Sequence, residues 1–198
     1  MLNRPGHCST RPRKSQRGVG LIEILVSVLI TSFGLLALAG LQSRVGQAQF
    51  ESYQRAQALT LLADLTQRIQ ANVAQASTYV TASTVGTGDT GSTACSTLTT
   101  RSDIDLCEWS RALRGAAETS GGSNVGAMIG ARGCVELVEA ADTTSGICRP
   151  ATYRVTVAWQ GLASTVAPGV ACAKDLYGAD SQRRAISSQV VTPLPTCS

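Results

Sequence analysis

From Ile24 to Ser43 the chain runs twenty residues without a charged side chain, about the 20 a helix needs to cross the hydrocarbon core of a bilayer. A helix apolar on every side has no face to turn to water, so this stretch reads as a membrane segment. Glu23 stands at its N-terminal edge. An ionised carboxylate at bilayer depth costs on the order of 2.5 kcal/mol or more unless it is paired or functional, so a plain anchor would not carry it. Ahead of it, Met1 to Gly18 holds Arg4, Arg11, Arg13, Lys14 and Arg17 and no acid. That bias keeps the N-terminal end in the cytoplasm and exports the chain beyond Leu41.

The run Gly18-Val19-Gly20-Leu21-Ile22-Glu23 resembles the processing site of type IV prepilins and pseudopilins: a basic leader, a Gly, cleavage after it, then an apolar helix with Glu fifth. The resemblance implies cleavage of the Gly18–Val19 bond by the prepilin peptidase and N-methylation of Val19, which stands where the family usually has Phe. It also implies an assembly role for Glu23. The new amine of Val19 would lie about one helical turn from the Glu23 carboxylate of a staggered neighbouring subunit. In a low-dielectric filament core the two charges offset each other's burial, and the pair sets the register. Two other readings compete. A secretory signal peptide would use Ala37-Leu38-Ala39 as its small-residue cleavage site, but an apolar region from Val19 to about Leu36 exceeds the roughly 7–15 residues expected. An uncleaved signal anchor explains neither Gly18 nor Glu23.

The leader also distorts two whole-chain numbers. The net charge is +4, yet beyond Gly18 there are 12 basic and 13 acidic side chains, a net −1. The basic balance implies no nucleic-acid partner, because duplex binding needs a basic face in the working protein. Of seven cysteines, Cys8 lies in the leader, leaving Cys95, Cys107, Cys134, Cys148, Cys172 and Cys197. In an exported domain six cysteines read as three disulfides, with about 15 possible connectivities; pairing in chain order is the expectation. With no tight Cys-x-x-Cys pair, and His7 of the leader the only histidine, neither a metal nor a cofactor is expected.

At 198 residues the chain suits one modest exported domain. The helix is expected to continue to Ala76 as an amphipathic one. Val45, Ala48, Ser52, Ala56, Leu59, Leu62, Thr66, Ile69, Val73 and Ala76 recur at steps of three and four. Gly34, Gly40 and Gly46 are its weak points, at about 1 kcal/mol each relative to Ala. A stripe holding Ser52 and Thr66 is a poor coiled-coil seam, so it is expected to pack on a sheet of its own domain.

Residues 77–100 read as a Thr/Ser/Gly loop. The string Asp89-Thr90-Gly91-Ser92 within it matches a fragment of aspartic proteases, but two carboxylates must share a proton there and only one copy is present. Ile104 to Ala117 reads as a helix capped by Ser102 or Asp103, docking Trp109 on the core. Gly121 to Gly126 reads as a loop and 141–150 as a turn region. Strands are expected at 133–138, 152–160 and 185–192, forming an antiparallel sheet whose apolar face covers the helix stripe.

The C-terminal pattern, Tyr153 to Gly161, Cys172, Tyr177-Gly178 and Arg183-Arg184 leading into the last strand, resembles minor pilins of the PilV type. Trp159 there reads as a core residue, with a binding role the minority reading, and Arg183 and Arg184 as one solvated and one paired side chain. Taken together the resemblances imply an α+β type IV pilin fold: a leader (1–18), a membrane or filament-core helix (19–43), an amphipathic half (44–76) and an exported domain (77–198). They imply a non-enzymatic subunit that primes or caps pili, supports attachment and twitching motility, and joins other minor pilins, the major pilin and the inner-membrane assembly platform. It would rest in the inner membrane before entering the pilus. The alternatives are a minor pseudopilin of type II secretion and a secreted or signal-anchored periplasmic enzyme. Against the enzyme stands a mature chain without His or convincingly paired acids.

Overall fold

The computed structural model describes residues 20–91, 94–115, 119–124, 126 and 128–194. Residues 1–45 and 46–198 form separate compact units. Helix α1 spans Leu21–Ala71 and gives way to a 3-10 turn at Val73–Tyr79, so the helix ends short of Ala76. Asn72 breaks it: its N–H still reaches the Arg68 and Ile69 carbonyls, but its own backbone has left helical geometry.

The second unit also holds α2 (Arg101–Leu113) and a four-stranded antiparallel sheet whose first strand precedes α2 in the chain. Its order is β1 (Val85–Gly86), β4 (Arg132–Glu139), β5 (Thr152–Gln160) and β6 (Arg183–Val191). A hairpin of two-residue strands, β2 (Thr119–Ser120) and β3 (Ser123–Asn124), lies apart; β3 falls within the stretch read as a loop, Gly121 to Gly126, and β2 just before it. The central strand β5 has the expected bounds because its period-two alternation leaves little choice of register. Tyr153, Val155, Val157 and Trp159 turn to the main core, and Thr156 and Ala158 face the other way, where Ala158 joins Cys134, Cys172 and Tyr177.

The sheet's inner face covers α1, as expected, but along a different line. The buried helix residues are Gln54, Ala58, Leu62, Leu65 and Ile69, whereas Ser52, Ala56 and Leu59 are exposed. The step pattern is helical in both cases. Gln54 decides between them: a polar residue that a hydropathy count passes over is fully buried. Helix α2 starts earlier than expected, at Arg101, with Thr100 as its N-cap; the Thr100 hydroxyl bonds the Asp103 carboxylate instead of a backbone N–H. Trp109 is fully buried and its Nε1 donates to the Leu61 carbonyl at 2.9 Å, tying α2 to α1. Gly133 in β4 is glycine because a Cβ there would enter the Trp109 ring.

Two disulfides are described, Cys95–Cys107 and Cys134–Cys172. The first is the chain-order pairing. The second corrects it: Cys134 was expected to pair with Cys148, but it lies on the outer face of β4, and the chain at 161–179 folds back over that face and brings Cys172 to it. Cys148 is itself in a disulfide, and Cys197 lies outside the described residues. A helix packed on an antiparallel sheet, with disulfides pinning the loops, is the expected α+β architecture and is consistent with a type IV pilin fold.

The Thr156 hydroxyl is fully buried and has no hydrogen-bond partner among the described residues. An unsatisfied buried hydroxyl costs about 1–3 kcal/mol. Thr156→Val keeps the shape and removes that cost, so it is expected to stabilise the domain by about 1 kcal/mol in a denaturant titration.

Candidate processing and assembly site

Gly18 and Val19, the expected cleavage bond and methylation site, lie outside the described residues. Glu23 is in the first turn of α1, its N–H bonded to the Gly20 carbonyl at 2.9 Å. A carboxylate there suits the partial positive charge of a helix N-terminus. The helix is long and apolar enough to cross a membrane, and none of its apolar window is buried in the protein. Its hydroxyls are satisfied internally. Ser27, Thr31 and Ser32 each donate to the carbonyl four residues back at 2.7 Å, which lowers the cost of carrying them into lipid. Between Leu21 and Leu41 the Glu23 carboxylate is therefore the one side-chain polar group with no bond to its own helix or to any other described residue.

The second unit is held by charged contacts that sequence reading largely missed. Asp105, almost fully buried, accepts from Tyr79 Oη at 2.6 Å, Arg68 Nη1 at 2.9 Å and Arg101 Nε at 3.1 Å. It joins α1, the turn after it and α2 at one carboxylate. Burial works against the Arg68 charge, but bonds to Glu108, Asp64 and Asp105 outweigh it and raise its pKa. Burial, then the bond to Asp105, pushes the Tyr79 phenol up. The available signal was the spacing of Arg101 and Asp105 at i, i+4.

Arg183 and Arg184 depart from the expected split into one solvated and one paired residue, because neither is solvated. Arg183 is 1% exposed. It pairs with Asp180 at 2.6 Å and donates to the carbonyls of Pro168, Val170 and Cys172, pinning the loop that carries the Cys134–Cys172 bond. Arg184 turns to the other face and reaches Glu51 of α1 at 3.3 Å and the Ala163 carbonyl at 2.6 Å, lying across Gly161, where a Cβ would collide with its guanidinium. Trp159 packs in the core.

Of the Asp-Thr-Gly-Ser string, Asp89 to Gly91 form a tight local structure, and Ser92 lies outside the described residues. Asp89 accepts from the Gly91 N–H and the Ser110 hydroxyl at 2.5 and 2.9 Å. Burial would raise its pKa, but those bonds and the nearby Arg114 charge hold it below the usual carboxylate range. Among the described residues no group of three or more His, Cys, Asp and Glu is placed to hold a metal ion.

Removing the Asp105 carboxylate leaves two guanidiniums and a phenol without their shared acceptor, so Asp105→Ala is expected to cost about 3 kcal/mol on unfolding, read by urea titration. The Arg183 hydrogen bond holds the Asp180 pKa below its ordinary value. A depressed carboxylate adds stability that is complete above the unfolded value near 4 and is lost as pH falls through the folded value. The Asp180→Asn variant is expected to lose that component, so its stability falls less steeply than wild type below about pH 4.

A family model described as the prokaryotic N-terminal methylation motif matches residues 13–39. No curated protein and no solved structure matches the chain significantly. The matched stretch contains Gly18, Val19 and Glu23 and ends inside the apolar part of α1. What the motif and the fold support is a protein of type IV pilin or pseudopilin kind, processed by a prepilin peptidase and anchored by its N-terminal helix.

Proposed function

We propose that this chain is a minor type IV pilin of the PilV type, a structural subunit without enzymatic activity. Residues 1–18 are its leader, cut after Gly18; Val19 is then N-methylated, and 19–43 rest in the inner membrane with the C-terminal domain in the periplasm. Assembly moves that helix into a filament core, beside other minor pilins and the major pilin, where the subunit primes or caps the pilus and so supports attachment and twitching motility. The observation that carries the reading is the methylation motif on an unburied apolar helix, in which Glu23 is the one polar side chain between Leu21 and Leu41 with no partner among the described residues. In lipid that carboxylate is a liability. Against the Val19 amine of a neighbouring subunit it becomes half of an ion pair, and its main service is register. Minor status is favoured by the disulfide-bonded domain and the PilV-like tail.

N-terminal sequencing of the mature protein tests the processing step: a start at Val19 is expected, and a start at Gly40 or Met1 overturns it. Glu23→Ala is expected to leave membrane insertion intact and to lower the subunit's recovery in sheared filaments by about tenfold, the effect of roughly 1.4 kcal/mol. Deleting the gene and scoring surface pili, motility and exoprotein secretion separately distinguishes the type II pseudopilin. Lost secretion with intact pili overturns the PilV reading.

A further inference from the structure

Strand β6 ends the sheet. It is paired with β5 along Arg183–Val191, and among the described residues nothing pairs its other edge. Proteins ordinarily close such an edge with charge, Pro, a bulge or a covering element. Here the chain carries no charge from Ala185 to Thr192 and reaches Pro only at Pro193. The two charges at its start are turned inward, Arg183 onto the loop carbonyls and Arg184 onto Glu51. The opposite edge, β1, is only two residues long.

Ile186 and Val190 face the α1 side of the sheet with the main core, while Ala185 faces the other. Ile186, unlike Val190, is only half covered. Beside this edge lie two hollows against α1. One, of about 300 Å³, is uncharged and is lined by Leu59, Leu62, Ala63, Thr66 and Ser188 among others. The other, of about 380 Å³, is lined by Glu51, Ser52, Arg55, Trp159, Arg184 and Ile186 among others. Ser188 and Arg184 share a face of β6, about 13 Å apart at strand rise. Glu51 is already engaged by Arg184 and the Leu162 N–H, whereas Arg55 is exposed and has no ion pair among the described residues.

We propose that the free edge of β6 is a strand-addition site for an extended segment of another polypeptide. That segment runs antiparallel to β6, setting an aliphatic side chain opposite Ser188 and, four residues later, an acidic one opposite Arg184 within reach of Arg55. Its backbone supplies affinity and the two hollows supply specificity. A second copy of β6 does not meet the requirement. The strand holds no acid, and the self-pairing centred on Ser188 sets Ser opposite Ser and Thr192 opposite Arg184. The inference is independent of the assembly reading above.

The test uses the full chain in detergent micelles. The probe is a fluorescein-labelled peptide of alternating threonines with one leucine and, four residues on, one glutamate; the control exchanges the leucine and glutamate. The probe is expected to bind saturably, about tenfold tighter than the control, and to slow amide exchange at residues 184–191. In Arg55→Glu the preference is expected to pass to a peptide with lysine in place of glutamate. Equal binding of probe and control, binding without protection of β6, no binding at about 1 mM peptide, or an unchanged preference in Arg55→Glu overturns the proposal. So does protection of β6 that rises with protein concentration in the absence of peptide, which assigns the edge to a second copy.

Discussion

Ala58, Leu62, Leu65 and Ile69 form a line on α1 that leaves water only beneath the sheet. Fully burying a Leu or Ile contributes about 1.5–3 kcal/mol, and the facing residues, Val135, Val155, Val157, Trp159 and Val190, come from three strands. Each strand is placed by having one apolar face to commit to this line. Helix α2 is placed by it too, since Trp109 fills the space that Gly133 leaves and bonds back to α1 at Leu61.

The outer face of the sheet is closed differently. The chain at 161–179 crosses it with little regular structure, and its backbone carbonyls need partners if they are to be buried. Arg183 supplies three of them from within β6. Tyr177 adds bonds to the carbonyls of Gly130 and Ala158 at 2.8 and 3.1 Å, and the Cys134–Cys172 bond fixes the strand beneath. Ala173 and Asp175 take left-handed backbone conformations in this loop, each at a cost of order 1 kcal/mol or more, and they persist because the surrounding bonds over-determine the loop. A buried Arg is thus the organiser of a covering layer, as Asp105 is for the helices.

The apolar half of α1 obeys another rule. Ser27, Thr31 and Ser32 satisfy themselves against their own helix, so Glu23 stands out by chemistry as well as by charge. A protein that needed only an anchor would have no reason to keep it.

The sequence by itself determined the elements whose signal is local. The uncharged run after Glu23 dictates an apolar helix, the alternation at 152–160 dictates β5, and the five basic residues among 1–18 account for the basic balance. The processing motif was equally legible, because leader charge, Gly and Glu spacing lie within a few residues. Tertiary structure alone decided which line of α1 is buried, since Gln54 enters the core for reasons no hydropathy pattern holds. It decided that Cys134 meets Cys172 and not Cys148, because disulfide pairing depends on which loop crosses the sheet. It also turned Arg183 and Arg184 to opposite faces and gave both partners, where the sequence reads one as solvated and one as paired. Local preferences are written residue by residue, whereas the partners of a buried charge, a cysteine or a sheet edge come from distant parts of the chain.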